Sequence, residues 1–431
     1  MSDDEADPEL LELLRQSLGL GRPSKTAPPE TKVLESARYV FDNAIDVALD
    51  PTKTKEAAET IWRMMQERHY STKTWASHEL HPKTKDASTV DFIFTMDLLN
   101  FSFWSEETDP SKQFAIEYRG RRWTGYWSLV AALQRALDEE IPITSSDFWQ
   151  SEDECTDEVL RHVFRSATVE EIPLFKERAE CLREAGKILY EKFGCSFANC
   201  IADANHSAAA LVNLLAENFP CFRDETRFEG KKIRFYKRAQ ILVADLWACF
   251  QGKGYGQFDD IHKITMFADY RIPQMLHQLG CLLYSPPLET SIRRLKPLAS
   301  GSQREIELRG ASIWCVELIR QEIERRHPEV KDGTFSGSKV ATPASPSEQQ
   351  SVVDVSRPES RNGSGSTVAT KIDGDVVDDE ADAGESGGDA PEMIRGVNAI
   401  LIDFLLYDWM KELEKEGKEG IPHHRTRSIW Y

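Results

Sequence analysis

The sequence predicts a mainly helical single domain carrying one or two small β-hairpins. Three observations lead there. Apolar residues recur at helical spacing through most of the chain, and short alternating runs occur around isolated glycines. Polar low-complexity sequence is confined to the start of the chain and one late stretch, which reduces 431 residues to roughly one large domain. Hydrophobic residues make up 40% of the chain, enough for a sizeable core. Residues 1–30 are expected to form a disordered acidic tail, 31–327 together with 392–431 the helical domain, and 328–391 a disordered acidic insertion. Such segments bury too little apolar area to offset chain entropy.

In chain order, the first helix is predicted from Thr31 to about Leu49, before Asp50-Pro51, and a second from Lys53 to Arg68. Ser71 to Lys85 reads as a loop containing His78. Val90 to Leu99 has helical period but is interrupted by Asp97, and Asn100 with the aromatic Phe101-Ser-Phe-Trp104 follows. Phe114 to Thr124 reads as a hairpin with Gly120 near its turn. The stripe Leu129, Ala132, Leu133 and Ala136 makes Tyr126 to Ala136 a helix, and further helices are predicted at 156–165, 170–193 and 206–217. A second hairpin is expected between Phe222 and Tyr236, around Glu229-Gly230. Ala239, Leu242, Val243, Leu246, Trp247 and Phe250 then mark a helix buried along one side. Gly252, Gly254 and Gly256 close it. The apolar run Ile264-Thr-Met-Phe-Ala leads to Asp269, Pro273 suits the first turn of a new helix, and Gly280 ends that helix. Glu305 to Arg326 and Ile394 to Glu416 complete the helices, before an ordered tail from His423 to Tyr431.

A formal charge of −19 repels phosphate backbones, which argues against a nucleic-acid polymer as ligand. The eight cysteines contain no C-x-x-C pair, so they read as reduced thiols of the cytosol or nucleus, not as a disulfide framework or zinc site. No run approaches twenty apolar residues, and no basic start leads into an apolar stretch; membrane spanning and secretion are disfavoured. No metal cluster or dinucleotide fingerprint appears, and Gly252-Lys-Gly-Tyr-Gly256 lacks the spacing of a nucleotide-triphosphate loop. No cofactor is expected, and the oligomeric state is not indicated.

Polar groups in apolar settings single out the candidate site. Asp269 lies between an apolar run and a helix start, where backbone amides keep a carboxylate ionised; it reads either as a helix cap or as a catalytic carboxylate. Asp97 and Asn100 interrupt an apolar run and need partners or a function. Asp403 and Tyr407 share a helix face within Ile400 to Trp409, with Asp408 beside them. Asp403 is either a structural partner of an arginine such as Arg425 or Arg427, or a reader of a guanine-like edge, since one carboxylate accepts from a ring N–H and an exocyclic amine.

The strings RFYKRAQILVAD (234–245), GKGYG (252–256) and ITMFADYRIPQ (264–274) resemble the queuosine salvage family of queuosine 5'-phosphate N-glycosylases. So do MDLLNFSFWSE (96–106), YRGRRWTGYWSL (118–129), RALDEEIPITS (135–145), RGASIWCVELI (309–319) and the final HRTRSIWY. The likeness covers nearly all of the chain outside the tail and the insertion. It implies hydrolysis of queuosine 5'-monophosphate, a small nucleotide, to queuine and ribose 5-phosphate. It further implies a catalytic Asp269 assisted by Lys237, and a pocket lined by His78, Asp97, Asn100, Phe267, Arg271, Asp403, Tyr407 and Asp408. Lys237, Arg238 and Arg271 are the phosphate candidates. The family is similar in architecture to helix-hairpin-helix DNA glycosylases, and the order helix, glycine turn, aspartate, helix fits that likeness. Base excision from DNA and a non-catalytic helical scaffold are the rival readings.

Overall fold

Several helices start at side-chain caps in the computed structural model, which describes residues 28–68, 70, 72, 75, 78–107, 109–328, 397–418 and 420–431. The Asp50 carboxylate accepts from Thr52 N at 2.8 Å and Lys53 N at 3.0 Å, with Pro51 in the first turn. Asp86, Thr156, Ser207, Ser285 and Asn398 cap five more helices in the same way.

The order is α1 (Val33–Asp42), β1 (Val47–Leu49), α2 (Pro51–Glu67), α3 (Ala87–Leu98), β2 (Ile116–Tyr118), β3 (Arg121–Trp123) and α4 (Tyr126–Asp138). Next come α5 (Ser146–Gln150), α6 (Asp157–Val163), α7 (Phe175–Phe193), α8 (Phe197–Asp203), α9 (Ala208–Asn218), β4 (Glu225–Phe228), β5 (Lys231–Arg234) and α10 (Lys237–Cys249). The chain continues through α11 (Arg271–Gln278), β6 (Leu282–Tyr284), α12 (Pro286–Arg293), α13 (Gln303–Arg326) and α14 (Ala399–Lys415). The described residues are therefore mainly helical, and both expected hairpins form: Ile116 pairs with Trp123, and Glu225 with Arg234.

Several elements differ from expectation: α5 and α8 fall where no helix was anticipated. The first helix stops at Asp42 because the Glu307 carboxylate accepts from the backbone N–H groups of Ile45, Asp46 and Val47, drawing the chain out into an extended path. That path becomes β1, which pairs antiparallel with β6, Val47 facing Tyr284. The short α12, begun by Pro286 and Pro287, is also new. The acidic tail expected at 1–30 lies outside the described residues as far as 27, and the insertion expected at 328–391 lies outside them from 329 onward.

Two helices organise the core. Every residue of α10 is buried, so this helix is enclosed on all sides rather than along one stripe. It packs against α3 and α9. The second is α13, which packs on α1, α2, β1, α11 and α14. Its closest approach is at Gly310, where a Cβ would stand 2.5 Å from Val40 Cγ1. Gly256 is equally constrained: a Cβ there would run into the Leu246 carbonyl, so the turn after α10 can fold back tightly only with glycine.

Candidate active site

The start of α10, the end of α3, the 264–269 segment and α14 meet around one ammonium group. Lys237, the first residue of α10, is 5% exposed; its Nζ lies 3.5 Å from the Asn100 carbonyl oxygen, a long contact. Burial pushes this lysine down to about 8, although Asp269 pulls in the opposite direction. Lys237 is also a stabilising charge for Asp97, Asp269 and Asp403, so three carboxyls share its field.

Asp269 is half-buried and caps α11: its Oδ1 accepts from Arg271 N and Ile272 N, both at 2.9 Å. The cap and the catalytic readings therefore coincide in one side chain, because Oδ2 carries no hydrogen bond to any described residue. Burial raises its carboxyl above the usual range, while Lys237, the two backbone donors and Arg271 hold it down. Asp403, 6% exposed, accepts from Phe267 N at 2.9 Å through Oδ2; burial and the nearby Asp269 push it well up. Its partner is thus a backbone amide rather than Arg425 or Arg427. Arg427 instead lies over the Trp104 ring and faces Glu106.

A buried ion pair beneath the site ties together the segments that carry Asp269 and Lys237. Arg309 Nη1 donates to Asp224 Oδ1 at 2.9 Å, and its Nε to the Ala268 carbonyl at 3.2 Å. Asp224 Oδ2 accepts from Lys237 N at 3.2 Å. One guanidinium thereby ties the residue before Asp269 to the start of α10. Arg178 and Arg238 similarly clamp the turn after α3 through the carbonyls of Leu98, Leu99 and Phe101. That corrects the phosphate role anticipated for Arg238, which is 2% exposed and donates to the Leu98 and Cys221 carbonyls.

The structure brings Asp97, Asn100, Lys237, Phe267, Asp269, Asp403 and Tyr407 together. Tyr407 feels Tyr270, Arg271 and Asp269. Arg271 adjoins the group but its guanidinium meets Glu414 at 3.1 Å and Gln274 at 3.3 Å. His78 stacks on Trp127 with ring centroids 3.3 Å apart, in an aromatic wall that also holds Trp75, His81 and Tyr126. Asp408 is not brought in: it is exposed and accepts from the Tyr70 hydroxyl at 2.7 Å. Five residues of helix turn it about 140° away from Asp403, whereas Tyr407 stays on the same face.

Sequence reasoning missed Asp245, a carboxyl on α10 that is 4% exposed and electrostatically linked to Asp97 and Asp403. The available signal was the one used for Asp403, an acid inside an apolar helical run. Among the described residues no group of three or more His, Cys, Asp or Glu side chains is arranged to hold a metal ion. A cleft of about 560 Å³ opens elsewhere, between α9 and the β4–β5 hairpin. None of the converging residues lines it, and its charges are largely paired, as Arg234 is with Glu225 at 3.4 Å. We place the site at the converging carboxyls on chemical grounds, not at that cleft.

Known proteins resemble this chain over most of its length. The family described as queuosine salvage protein matches residues 80–431. A mouse protein named queuosine 5'-phosphate N-glycosylase/hydrolase is 40% identical over 410 residues, covering 94% of this chain and 99% of the relative. Proteins of the same name from Schizosaccharomyces pombe and Sphaerobacter thermophilus are 45% and 40% identical over 301 and 294 residues, covering 69% and 68% of this chain and 87% and 86% of the relatives. Motif order, helical fold and extent of match together show that the chain belongs to the queuosine salvage protein family.

Proposed function

We propose that this protein hydrolyses the N-glycosidic bond of queuosine 5'-monophosphate, releasing queuine and ribose 5-phosphate so that the base can return to tRNA. The observation that carries the reading is Asp269: a half-buried carboxylate with one oxygen tied to two backbone amides, the other without a hydrogen bond to any described residue, and a buried ammonium beside it. Breaking the bond from the sugar to the base leaves its electron pair on the base nitrogen and builds positive charge on the sugar. A fixed carboxylate next to the anomeric carbon stabilises that charge. Water then adds its oxygen to the sugar carbon, and its proton balances the departing base.

The leaving base has carbon at position 7, so hydrogen bonds to its other heteroatoms must assist departure. Asp403, fixed by the Phe267 amide, is the proposed reader of the guanine-like edge, with Tyr407, Phe267, Asn100 and His78 as neighbouring walls. Arg271 is the proposed phosphate holder, being the cation nearest Asp269 in effect after Lys237. A site in the cytosol or nucleus suits the eight free cysteines, and among the described residues no helix is long and apolar enough to cross a membrane.

The test is to incubate the protein with queuosine 5'-monophosphate, the nucleoside and a damaged DNA duplex, and to measure released base by chromatography. Release of queuine from the nucleotide is expected. No release from the nucleotide, or base release from the duplex, would overturn the reading.

A further inference from the structure

Asp245 is the buried carboxyl for which the proposed cleavage step has no use. It lies two turns beyond Lys237 on α10, and the donor that steadies it is the Trp75 indole; no cation among the described residues pairs with it. Beside it stands Asp97, with no exposed surface. Asp97 Oδ1 accepts from Asn100 Nδ2 at 3.2 Å, but its Oδ2 is buried with no hydrogen-bond partner among the described residues. A buried carboxyl oxygen without a donor is costly and calls for an explanation. Burial drives both groups toward their neutral forms, Asp245 up to about 7, and repulsion from Asp245 pushes Asp97 further.

The surroundings are aromatic. Trp75 stacks on His81 with ring centroids 3.9 Å apart, and His81 Nε2 meets the Tyr126 hydroxyl at 2.9 Å. The Tyr126 hydroxyl is in turn affected by both Asp245 and Asp97. Paired carboxyls against aromatic rings are what a desolvated organic ammonium requires. A secondary ammonium carries two N–H groups, one for each carboxylate.

Resting on queuosine 5'-monophosphate as substrate, we propose that Asp97 and Asp245 form the subsite for the secondary ammonium on the side chain of the base. The pair then selects amine-bearing 7-deazaguanine nucleotides over neutral ones. The labour divides along the pocket: Asp403, next to Asp269, serves the ring, and the Asp97–Asp245 pair serves the side chain. Asp245 thereby becomes a specificity residue that makes no contact with the bond being broken.

The experiment uses the full chain and two variants, Asp245→Asn and Asp97→Asn, both near-isosteric. kcat/KM is measured for queuosine 5'-monophosphate and for 7-cyano-7-deazaguanosine 5'-monophosphate, whose nitrile is neutral. Calorimetry follows the binding of queuine and 7-cyano-7-deazaguanine. The preference for the amine over the nitrile should fall ~10- to 100-fold in each variant, in both rate and binding, as expected for one lost charged hydrogen bond. A purely structural role lowers both substrates together and keeps the ratio, which overturns the subsite while hydrolysis by the unmodified protein stands. If the unmodified protein neither cleaves either nucleotide nor binds either base, the subsite and the substrate reading fall together.

Discussion

The Asp269 carboxylate caps α11 with one oxygen and, in the proposed reaction, faces the sugar with the other, and this makes its substitution informative. In Asp269→Asn the amide oxygen can still accept from Arg271 N and Ile272 N, so α11 keeps its cap and melting should move little. The negative charge beside the sugar is lost, which costs roughly 3–4 kcal/mol, or 10²–10³ in single-turnover rate. An Asn variant that binds the nucleotide and turns over near the normal rate would remove Asp269 from the chemistry. A contrast of Asp403→Asn with Asp408→Asn tests the base reader. The first should weaken nucleotide binding by about 1–3 kcal/mol, whereas the second alters only a part-buried contact with Tyr70 and should leave affinity within about twofold. Lys237 adds a pH signature. Its ammonium is the proposed cationic partner of Asp269, and loss of its proton removes that charge from the site, so kcat/KM should decline as pH rises through about 8, and Lys237→Met should lose that limb. Stability runs the other way. The folded chain gives up this proton near 8 and the unfolded chain near its ordinary 10.5, so between those values the unfolded state binds more protons and the lysine's contribution to stability rises with pH. Melting curves across that window, with Lys237→Met as the control, check the sign.

Between elements, the tightest constraint is the seat of α13 on α1. Gly310→Ala places a methyl group against Val40, and since both backbones belong to packed helices the side chain has little room to move. Overpacking of this kind costs about 1–3 kcal/mol. Because Gly310 follows Arg309, measuring turnover with melting shows whether the Arg309 link to Asp224 and Ala268 survives; a lower melting temperature with retained turnover is expected. Element by element, much was readable in advance. Both hairpins, α10, α11 and the long α13 followed from periodicity and from turn residues such as Gly120 and Gly230. The β1–β6 pair did not, because three-residue strands are too short to display alternation and Val47 meets Tyr284 only through the tertiary fold. Asp245 escaped for a related reason. It lies off the stripe formed by Ala239, Leu242, Val243 and Leu246, on a face that periodicity assigns to solvent, whereas the fold encloses α10 completely.

Across the whole molecule, the convergence of buried charges was legible where motif and isolated charge coincided, as at Asp269, Lys237 and Asp403. It was not legible where a charge's use depends on distant elements. Arg238 shows this: a cation adjoining Lys237 in sequence is consumed by the carbonyls of Leu98 and Cys221. Asp408 shows it too, directed outward by helix geometry that only the packing of α14 gives meaning. The segment 329–391 holds none of the residues named at the site. Replacing it with a short Gly/Ser linker should leave kcat and KM within about twofold and the melting temperature nearly unchanged. Loss of hydrolysis with the helical body still folded would mean that the segment takes part in the site.

The burial of α14 carries one more consequence. Ile400, Leu401, Ile402, Leu405, Leu406 and Met410 are buried, and the helix packs on α2, α11 and α13, all from the first three-quarters of the chain. Each such side chain contributes about 1.5–3 kcal/mol of apolar burial, enough to hold the helix without a covalent tether. The helix that carries Asp403 therefore behaves as a plug seated in a socket. A chain cut between 329 and 396 should migrate as two fragments on a denaturing gel, elute as one particle, and keep its activity until dilution lets the plug dissociate.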